Sequence, residues 1–255
     1  MSPCLLGLLR GTVAAAAFVA LPAVAVATPS SVFWTIATPY VQPYGVLHIT
    51  YDTYFGTKGS YAVTSGLQIG VLPMKDVQAE IGFDLGYPTS AAGEPVDVPI
   101  ALNAKVGGPE GALFGGAPGW SAGIAGVGFE EDATDYDILH AEIGKTFGLG
   151  TIGLGGYHGL NPDLLLSSAG EEHRTGFMAS WTSQSIGFPA TDHANLVLDV
   201  QTGDNVLGAA GGGIYLYFTP KVDLALGPVF FFDEGLQPGG SRWLWSLQFD
   251  ADLDF

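Results

Sequence analysis

Carboxylates and histidines are the residues of this chain with the widest scope for chemistry. The sequence has 25 Asp and Glu but only five His. His48 and Asp52 stand early in the chain, whereas Asp250 and Asp252 stand close to its end. A histidine beside carboxylates can bind a divalent metal or act as a general base. The same residues can also form a buried hydrogen-bonded network, so three interpretations remain open.

A second group of acidic and histidine residues lies further along the chain. Glu171, Glu172 and His173 are consecutive, and Asp192 directly precedes His193. They would form a hydrolytic site only if the fold brings them together, because the members of such sites converge in space rather than in sequence. The sequence contains no H-E-x-x-H or phosphate-loop motif. We therefore assign no catalytic residue, no metal ligand and no cofactor.

The element that must position these residues is clearest in the last stretch, Trp243–Phe255. Its odd positions are apolar, and its even positions from Ser246 onward are polar or acidic. Successive side chains of a strand point to opposite faces, so one face is apolar and the other charged. A strand of roughly ten residues with lipid outside and water inside is typical of a transmembrane β-barrel. A soluble β-sandwich or lipocalin-like barrel would show a similar alternation and is the alternative.

Similar segments recur along the chain and predict an all-β, antiparallel barrel of about twelve strands. The second, sixth and tenth links are very short, while the third, seventh and eleventh are longer, as expected of periplasmic turns and external loops. The long links Gly107–Gly119 and Ile186–Asp192 break this trend, so ten or fourteen strands are also considered. The predicted strands are Gly45–Phe55, Tyr61–Leu72, Asp76–Tyr87, Val98–Val106, Trp120–Phe129, Tyr136–Phe147, Thr151–Leu160, Glu172–Ser183, His193–Gln201, Leu207–Thr219, Lys221–Phe232 and Arg242–Phe255.

The first residues predict a cleaved secretory signal peptide. Met1–Ala27 carries one cation, Arg10, followed by an apolar run that ends in small residues. The only cysteine, Cys4, falls inside this segment, so the mature chain has no disulfide. We expect Thr28–Tyr44 to be a periplasmic or plug segment and residues 45–255 to form the barrel.

The charge of the mature chain narrows the range of partners. Without Arg10, seven Lys and Arg remain against 25 Asp and Glu, a formal net charge of −18. Such acidity argues against nucleic acid and favours cations or neutral solutes. No stretch after residue 28 approaches the roughly 18 uninterrupted apolar residues of a spanning helix. The expected partners are outer-membrane lipids and lipopolysaccharide, small solutes or ions, and, in one alternative, another envelope protein.

The face of each strand opposite the lipid is predicted to line the lumen. Carboxylates dominate this set, and opposed charges across a constriction select ions by charge and size, so the excess acid predicts a preference for cations. Strands five, seven and ten are too rich in glycine for either face to be assigned. The titratable lumen residues are His48, Asp52, Glu80, Asp84, Lys105, His140, Glu142, Arg174, Asp199, Asp223, Asp250 and Asp252.

Several short motifs resemble those of a known class of proteins. They are Gly45–Tyr51, the turn Leu72-Pro73, Tyr217–Lys221 and the terminal strand. On these generic features, nearly the whole mature chain resembles the small bacterial outer-membrane transporter-like and porin-like β-barrels of uncharacterised solute. The resemblance implies the fold, the outer-membrane location and passage of a small solute. It transfers no site residues.

Three functional interpretations follow. The first is a narrow passive channel or porin for small neutral or cationic solutes, with an acidic lumen. The second is a plugged structural or partner-binding barrel, with Thr28–Tyr44 as the plug. The third is an outer-membrane hydrolase that uses His173 or His193 at the external rim. The width of the lumen distinguishes an open channel from a plugged barrel. Eight-stranded barrels are filled by side chains, whereas sixteen-stranded barrels contain a channel.

Overall fold

The fold is a closed antiparallel β-barrel. The computed structural model describes residues 32–59, 61, 63–87, 97–130 and 134–255, so the predicted signal peptide lies outside the described residues. The described residues form twelve strands and two short 3₁₀ turns, Glu234–Leu236 and Pro238–Gly240. The strands are β1 (Val46–Phe55), β2 (Val63–Gly70), β3 (Gln78–Tyr87), β4 (Ile100–Gly108), β5 (Gly119–Gly128), β6 (Ile138–Phe147), β7 (Gly150–Gly159), β8 (Thr175–Ser183), β9 (His193–Gln201), β10 (Ala209–Thr219), β11 (Val222–Phe231) and β12 (Trp243–Asp254).

The barrel closes where the first strand meets the last. Each strand pairs with its neighbours in sequence, and β1 pairs with both β2 and β12. The closing register runs from Val46 opposite Asp254 to Phe55 opposite Trp245. A closed sheet has no edge, so each strand finds its backbone partners within the sheet, as hydrocarbon requires. The predicted fold class is confirmed.

The two long links that left the strand number open contain no further strand. Residues 109–118, between β4 and β5, form a series of turns. Residues 184–192, between β8 and β9, fold back so that Ile186 makes a single bridge with Ala194. The number of strands is therefore twelve within the described ranges, and ten and fourteen are excluded there.

The outer face of the barrel is apolar. Ile143, Leu154 and Leu198 lie mid-strand and are 51%, 53% and 57% exposed. Strands of about ten residues, tilted by about 40°, span roughly 25 Å, which is the height of the apolar band of membrane barrels. A soluble barrel would turn these side chains inward, so the soluble alternative does not fit. Within the described ranges, none of the helical turns has the length and apolarity that a membrane-crossing helix needs.

The inner face is polar and densely filled. His48, Gln201, Asp223 and Ser246 are fully buried, although all of them carry polar side chains. They occupy inward positions of β1, β9, β11 and β12, and on β1, β9 and β12 another polar side chain stands two residues away. The lumen is therefore the place where the chain concentrates its polar chemistry.

Candidate functional site: the barrel lumen

Residues 32–44, here called the N-terminal segment, lie inside the barrel. Phe33 is fully buried and meets the ring of Tyr215 edge-on, with ring centroids 5.6 Å apart. At its other end the segment turns sharply into β1 through Gly45, whose φ of 75° suits glycine. These contacts put Phe33 against the inner face of β10.

Inward-facing side chains of the barrel hold the backbone of the segment. One oxygen of the Asp199 carboxylate, Oδ2, accepts the N–H groups of Trp34 at 2.7 Å and Thr35 at 2.9 Å, and the Thr35 hydroxyl at 3.3 Å. Gln201 Oε1 accepts the N–H of Ile36 at 3.0 Å. The segment is not part of a β-strand, so its backbone N–H groups have no β-sheet partners. These side chains supply the acceptors that the buried N–H groups need.

Glycines of the barrel make room for the segment. A Cβ at Gly211 or Gly213 would stand 2.7 Å from an atom of Phe33, which is too close for any side chain. A Cβ at Gly144 would stand 3.0 Å from the Cβ of Pro39 and closer still to its Cγ. Two of these glycines belong to β10, a strand whose faces sequence alternation could not assign. They mark where the segment approaches the wall.

The segment reaches an aromatic cluster in the outer half of the barrel, at the end away from the strand termini Val46 and Asp254. The ring of Trp34 meets Tyr54 and Phe231 nearly perpendicularly, at centroid distances of 5.3 and 5.0 Å. Its indole N–H donates to the carbonyl of Leu207 at 2.6 Å. Tyr61 packs against Trp34 as well, with centroids 5.6 Å apart. The cluster fixes the outer part of the segment by contacts that are mostly apolar.

An acidic cluster lines the closing seam of the barrel. His48 Nδ1 is 2.7 Å from Asp252 Oδ1, and His48 Nε2 is 3.4 Å from Asp250 Oδ1. Asp223 stands opposite Asp250 in the β11–β12 pairing, is fully buried, and has no hydrogen-bond partner for either oxygen. Across the described residues, no group of three or more His, Cys, Asp or Glu is arranged to hold a metal ion. The arrangement favours a buried polar network.

A second charged group occupies the wall formed by β3, β4 and β6. Lys105 Nζ is 3.2 Å from Glu80 Oε1, and Glu80 Oε2 accepts the N–H of Gln42 at 2.6 Å. His140 and Glu142 lie on the same inner face, and both are buried. Their atoms His140 Nδ1 and Glu142 Oε1 have no hydrogen-bond partner. This group therefore combines one satisfied ion pair with unsatisfied polar atoms.

The remaining residues of the predicted lumen set divide between the interior and the outer loops. Asp52 and Asp84 line an internal cavity, and Asp199 holds the segment. Arg174 is the exception, because β8 begins only at Thr175. Its side chain is 36% exposed, and its Nε lies 3.5 Å from Glu172 Oε2. The link before β8 makes its own pairing, between Leu166 and Glu172, which keeps Arg174 out of the lumen.

The segment divides the lumen into two cavities. The large cavity, of about 280 Å³, lies between the segment and strands β1–β6. The small cavity, of about 200 Å³, lies between Thr38–Tyr40 and strands β7–β10. Neither cavity can be predicted from the sequence, because alternation indicates which residues face inward but not the space left between them.

The proposed composite histidine site is not assembled. His173 lies in the link before β8, and His193 opens β9, so the whole of β8 separates them. Consecutive links of an antiparallel barrel lie at opposite ends, and the expectation that both residues share the external rim is wrong. His173 Nε2 is 3.8 Å from both Glu171 Oε2 and Asp204 Oδ2, whereas His193 stacks on Tyr217.

Two ionisable groups outside the strands, Glu110 and Tyr136, have pKa shifts with a clear structural cause. Burial would raise the pKa of Glu110, but the hydrogen bonds from Thr146 and Lys145 outweigh it and lower the pKa. Lys145 Nζ is 2.9 Å from Glu110 Oε2, and the Thr146 N–H donates to Oε1 at 2.7 Å. Burial raises the pKa of Tyr136, whose ring lines the large cavity. Neither group is poised for acid–base chemistry near neutral pH.

Comparisons with known proteins give only distant structural likenesses. No protein-family model matches the chain, and no curated protein matches it. The barrel is similar to an outer-membrane channel from Pseudomonas putida F1, at 14% identity over 84% of this chain and 97% of the other, with a TM-score of 0.46. It is also similar to the NanC porin, at 9% identity over 82% and 98% of the two chains, with a TM-score of 0.45.

A variant of the Rhodopseudomonas blastica porin is a third similar structure. The match has 14% identity, covers 74% of this chain and has a TM-score of 0.40. It spans 55%, about half, of that porin's own length. The assignment of this chain as a closed barrel rests on its own strand pairing.

Proposed function

We propose that this protein is a β-barrel of the bacterial outer membrane that passes small neutral or cationic solutes passively through an acidic lumen. The observation that carries this proposal is the polar interior with a cavity on each side of the N-terminal segment, enclosed by an apolar exterior. Inward carboxylates outnumber inward cations, since Lys105 is paired with Glu80 while Asp52, Asp223 and Asp250 face no lysine or arginine. Such a lumen favours cations over anions.

The N-terminal segment sets the width of the route. It fills the space between the two cavities and is anchored at Asp199, Gln201 and Glu80. We therefore propose a narrow conductance with the segment seated and a wider one without it. A barrel of twelve strands is narrower than the porins of sixteen or more strands, which leave an aqueous channel, so a segment inside it occupies a larger share of the cross-section.

Single-channel recording in a planar bilayer tests this function. The refolded mature protein is expected to give small, cation-selective openings in a potassium chloride gradient. Deleting residues 28–44 is expected to raise the conductance several-fold, and Asp250→Asn to reduce the cation preference. Heat-modifiable migration of each variant on a gel provides the control for barrel folding. A folded deletion variant that conducts nothing would contradict a transport function.

A plugged structural or partner-binding barrel is the second candidate. It is favoured by the hydrogen bonds that Asp199, Gln201 and Glu80 accept from the backbone of the segment. In that case the intact protein stays silent in the bilayer, and the outer loops or the segment carry the binding. The hydrolase alternative has less support, since His193 is at the opposite end of the barrel from His173.

A further inference from the structure

The large cavity has one apolar wall and one acidic wall. Trp34, Ile138 and Leu207 contribute apolar surface, and Asp52 and Asp84 contribute carboxylates. The cavity is about 280 Å³, close to the lower end of ligand-binding pockets, which begin at about 300 Å³. A cavity with two such walls suits a molecule that has an apolar body and a charged end.

Among the described residues, no lysine or arginine forms an ion pair with the acidic wall. Asp84 accepts one hydrogen bond, from Asn103 Nδ2 at 2.6 Å. Asp52 lies on β1 and also lines the cavity. Lys105 also lines the cavity, but its ammonium is 3.2 Å from Glu80. The cavity therefore has an excess of negative charge on the side of β1 and β3.

Two further polar side chains of this cavity lack partners. Gln68 and His140 are each 7% exposed, and both line the cavity. Gln68 Oε1 and His140 Nδ1 have no hydrogen-bond partner. Buried polar atoms are nearly always paired in native structures, so unpaired ones around a cavity point to a ligand that supplies the missing partners. Gln68 Oε1 is an acceptor, and a ligand with N–H groups would satisfy it.

We propose that the large cavity binds a small amphipathic cation, a protonated amine with an apolar body. The ammonium lies against Asp52 and Asp84, and the body packs on Trp34 and Ile138. At about 30 Å³ for each non-hydrogen atom, as for liquid water, the cavity holds a ligand of about nine such atoms. This proposal rests on the proposed function, since the amine is one of the solutes that the barrel passes.

Isothermal titration calorimetry on the full mature chain in detergent tests the proposal without a membrane. The probes are phenethylamine, which is a cation at neutral pH, phenethyl alcohol, which is neutral and nearly the same shape, and phenylacetate, which is an anion. We expect saturable one-site binding of the amine, with the alcohol at least roughly tenfold weaker and no binding of phenylacetate. Equal affinity for the amine and the alcohol would overturn the proposal, and this comparison needs no variant.

Two variants locate the site. Asp52→Asn and Asp84→Asn are each expected to weaken amine binding at least roughly tenfold. Asp163→Asn, which removes the same charge from an exposed position of an outer loop, is expected to leave it unchanged. If both lumenal variants fold and bind the amine as the natural chain does, the proposed site is wrong. A barrel that conducts but does not bind the amine refutes this proposal alone, and one that binds but never conducts refutes only the proposed function.

Discussion

Removing the Asp199 carboxylate should release the N-terminal segment from the barrel wall. In Asp199→Ala, the N–H groups of Trp34 and Thr35 lose the oxygen that accepts both of them. A hydrogen bond to a charged group is worth about 1.5 to 3 kcal/mol, so the loss of two weakens seating by about 3 to 6 kcal/mol. That corresponds to a rise of roughly 10²- to 10⁴-fold in the population with the segment displaced.

Amide hydrogen exchange followed by mass spectrometry measures this directly on the peptide that covers the segment. We expect its exchange to accelerate at least roughly a hundredfold in Asp199→Ala, while strand peptides stay protected. Asp199→Asn should have a smaller effect, because one amide oxygen can still accept from the segment. Asp223→Asn is the matched control, since Asp223 is also a buried lumenal carboxylate but makes no hydrogen bond to the segment.

Two results would refute this reasoning. Unchanged exchange in Asp199→Ala would mean that the Asp199 hydrogen bonds do not hold the segment in place. Equal acceleration in Asp223→Asn would mean that lumenal charge, rather than hydrogen bonding, decides how firmly the segment is seated.

Three further predictions concern packing, the lipid face and pH. Gly144→Ala should push Pro39 of the segment away from β6 and raise the single-channel conductance. Gly148→Ala is the control and should leave the conductance unchanged, because a Cβ at Gly148 meets nothing within 4 Å. Equal conductance in the two variants would contradict the packing argument. Leu154→Arg should lower the free energy of unfolding in lipid vesicles by about 2 to 4 kcal/mol. Leu149→Arg, in a turn, should lower it by far less. An unchanged unfolding free energy in Leu154→Arg would mean that this face does not contact lipid. Glu110→Gln should lower the unfolding free energy in urea by less than about 1 kcal/mol near neutral pH. Because the folded state lowers the Glu110 pKa, that difference should disappear as pH falls below its ordinary value of 4.5, and a difference that persists in acid would exclude the ion pair as its cause.

Strand positions were the part of the fold most open to prediction from the sequence. The period of two residues fixes which side chains share a face, and it recovered every strand to within three residues at each end. The largest difference is at β8, where the alternation predicts a start at Glu172 but the strand starts at Thr175. The preceding residues pair within their own loop, and no local pattern distinguishes that pairing from a strand.

The interior could be predicted only in part. Alternation placed His48, Asp223 and Asp250 on inward faces, and the structure puts all three there. It could not predict the path of the N-terminal segment, because contacts across a lumen join residues far apart in sequence with no period between them. Glycine is the one sequence feature that indicates this path. Positions such as Gly211 have no side chain where the segment passes, but glycine is neither apolar nor polar in the alternation and so assigns no face.

The aspartates of β12 also bear on how the last strand finds its place. Asp250 and Asp252 meet the interior only in the observed register, in which Asp252 stands opposite His48. A slip by one residue would turn every inward side chain of the strand toward lipid. A carboxylate turned toward lipid destabilises a membrane barrel, and this cost rises toward the middle of the bilayer. A barrel closed in a shifted register is thus destabilised in the membrane. Asp250 and Asp252 therefore select the observed pairing of β1 with β12 during assembly.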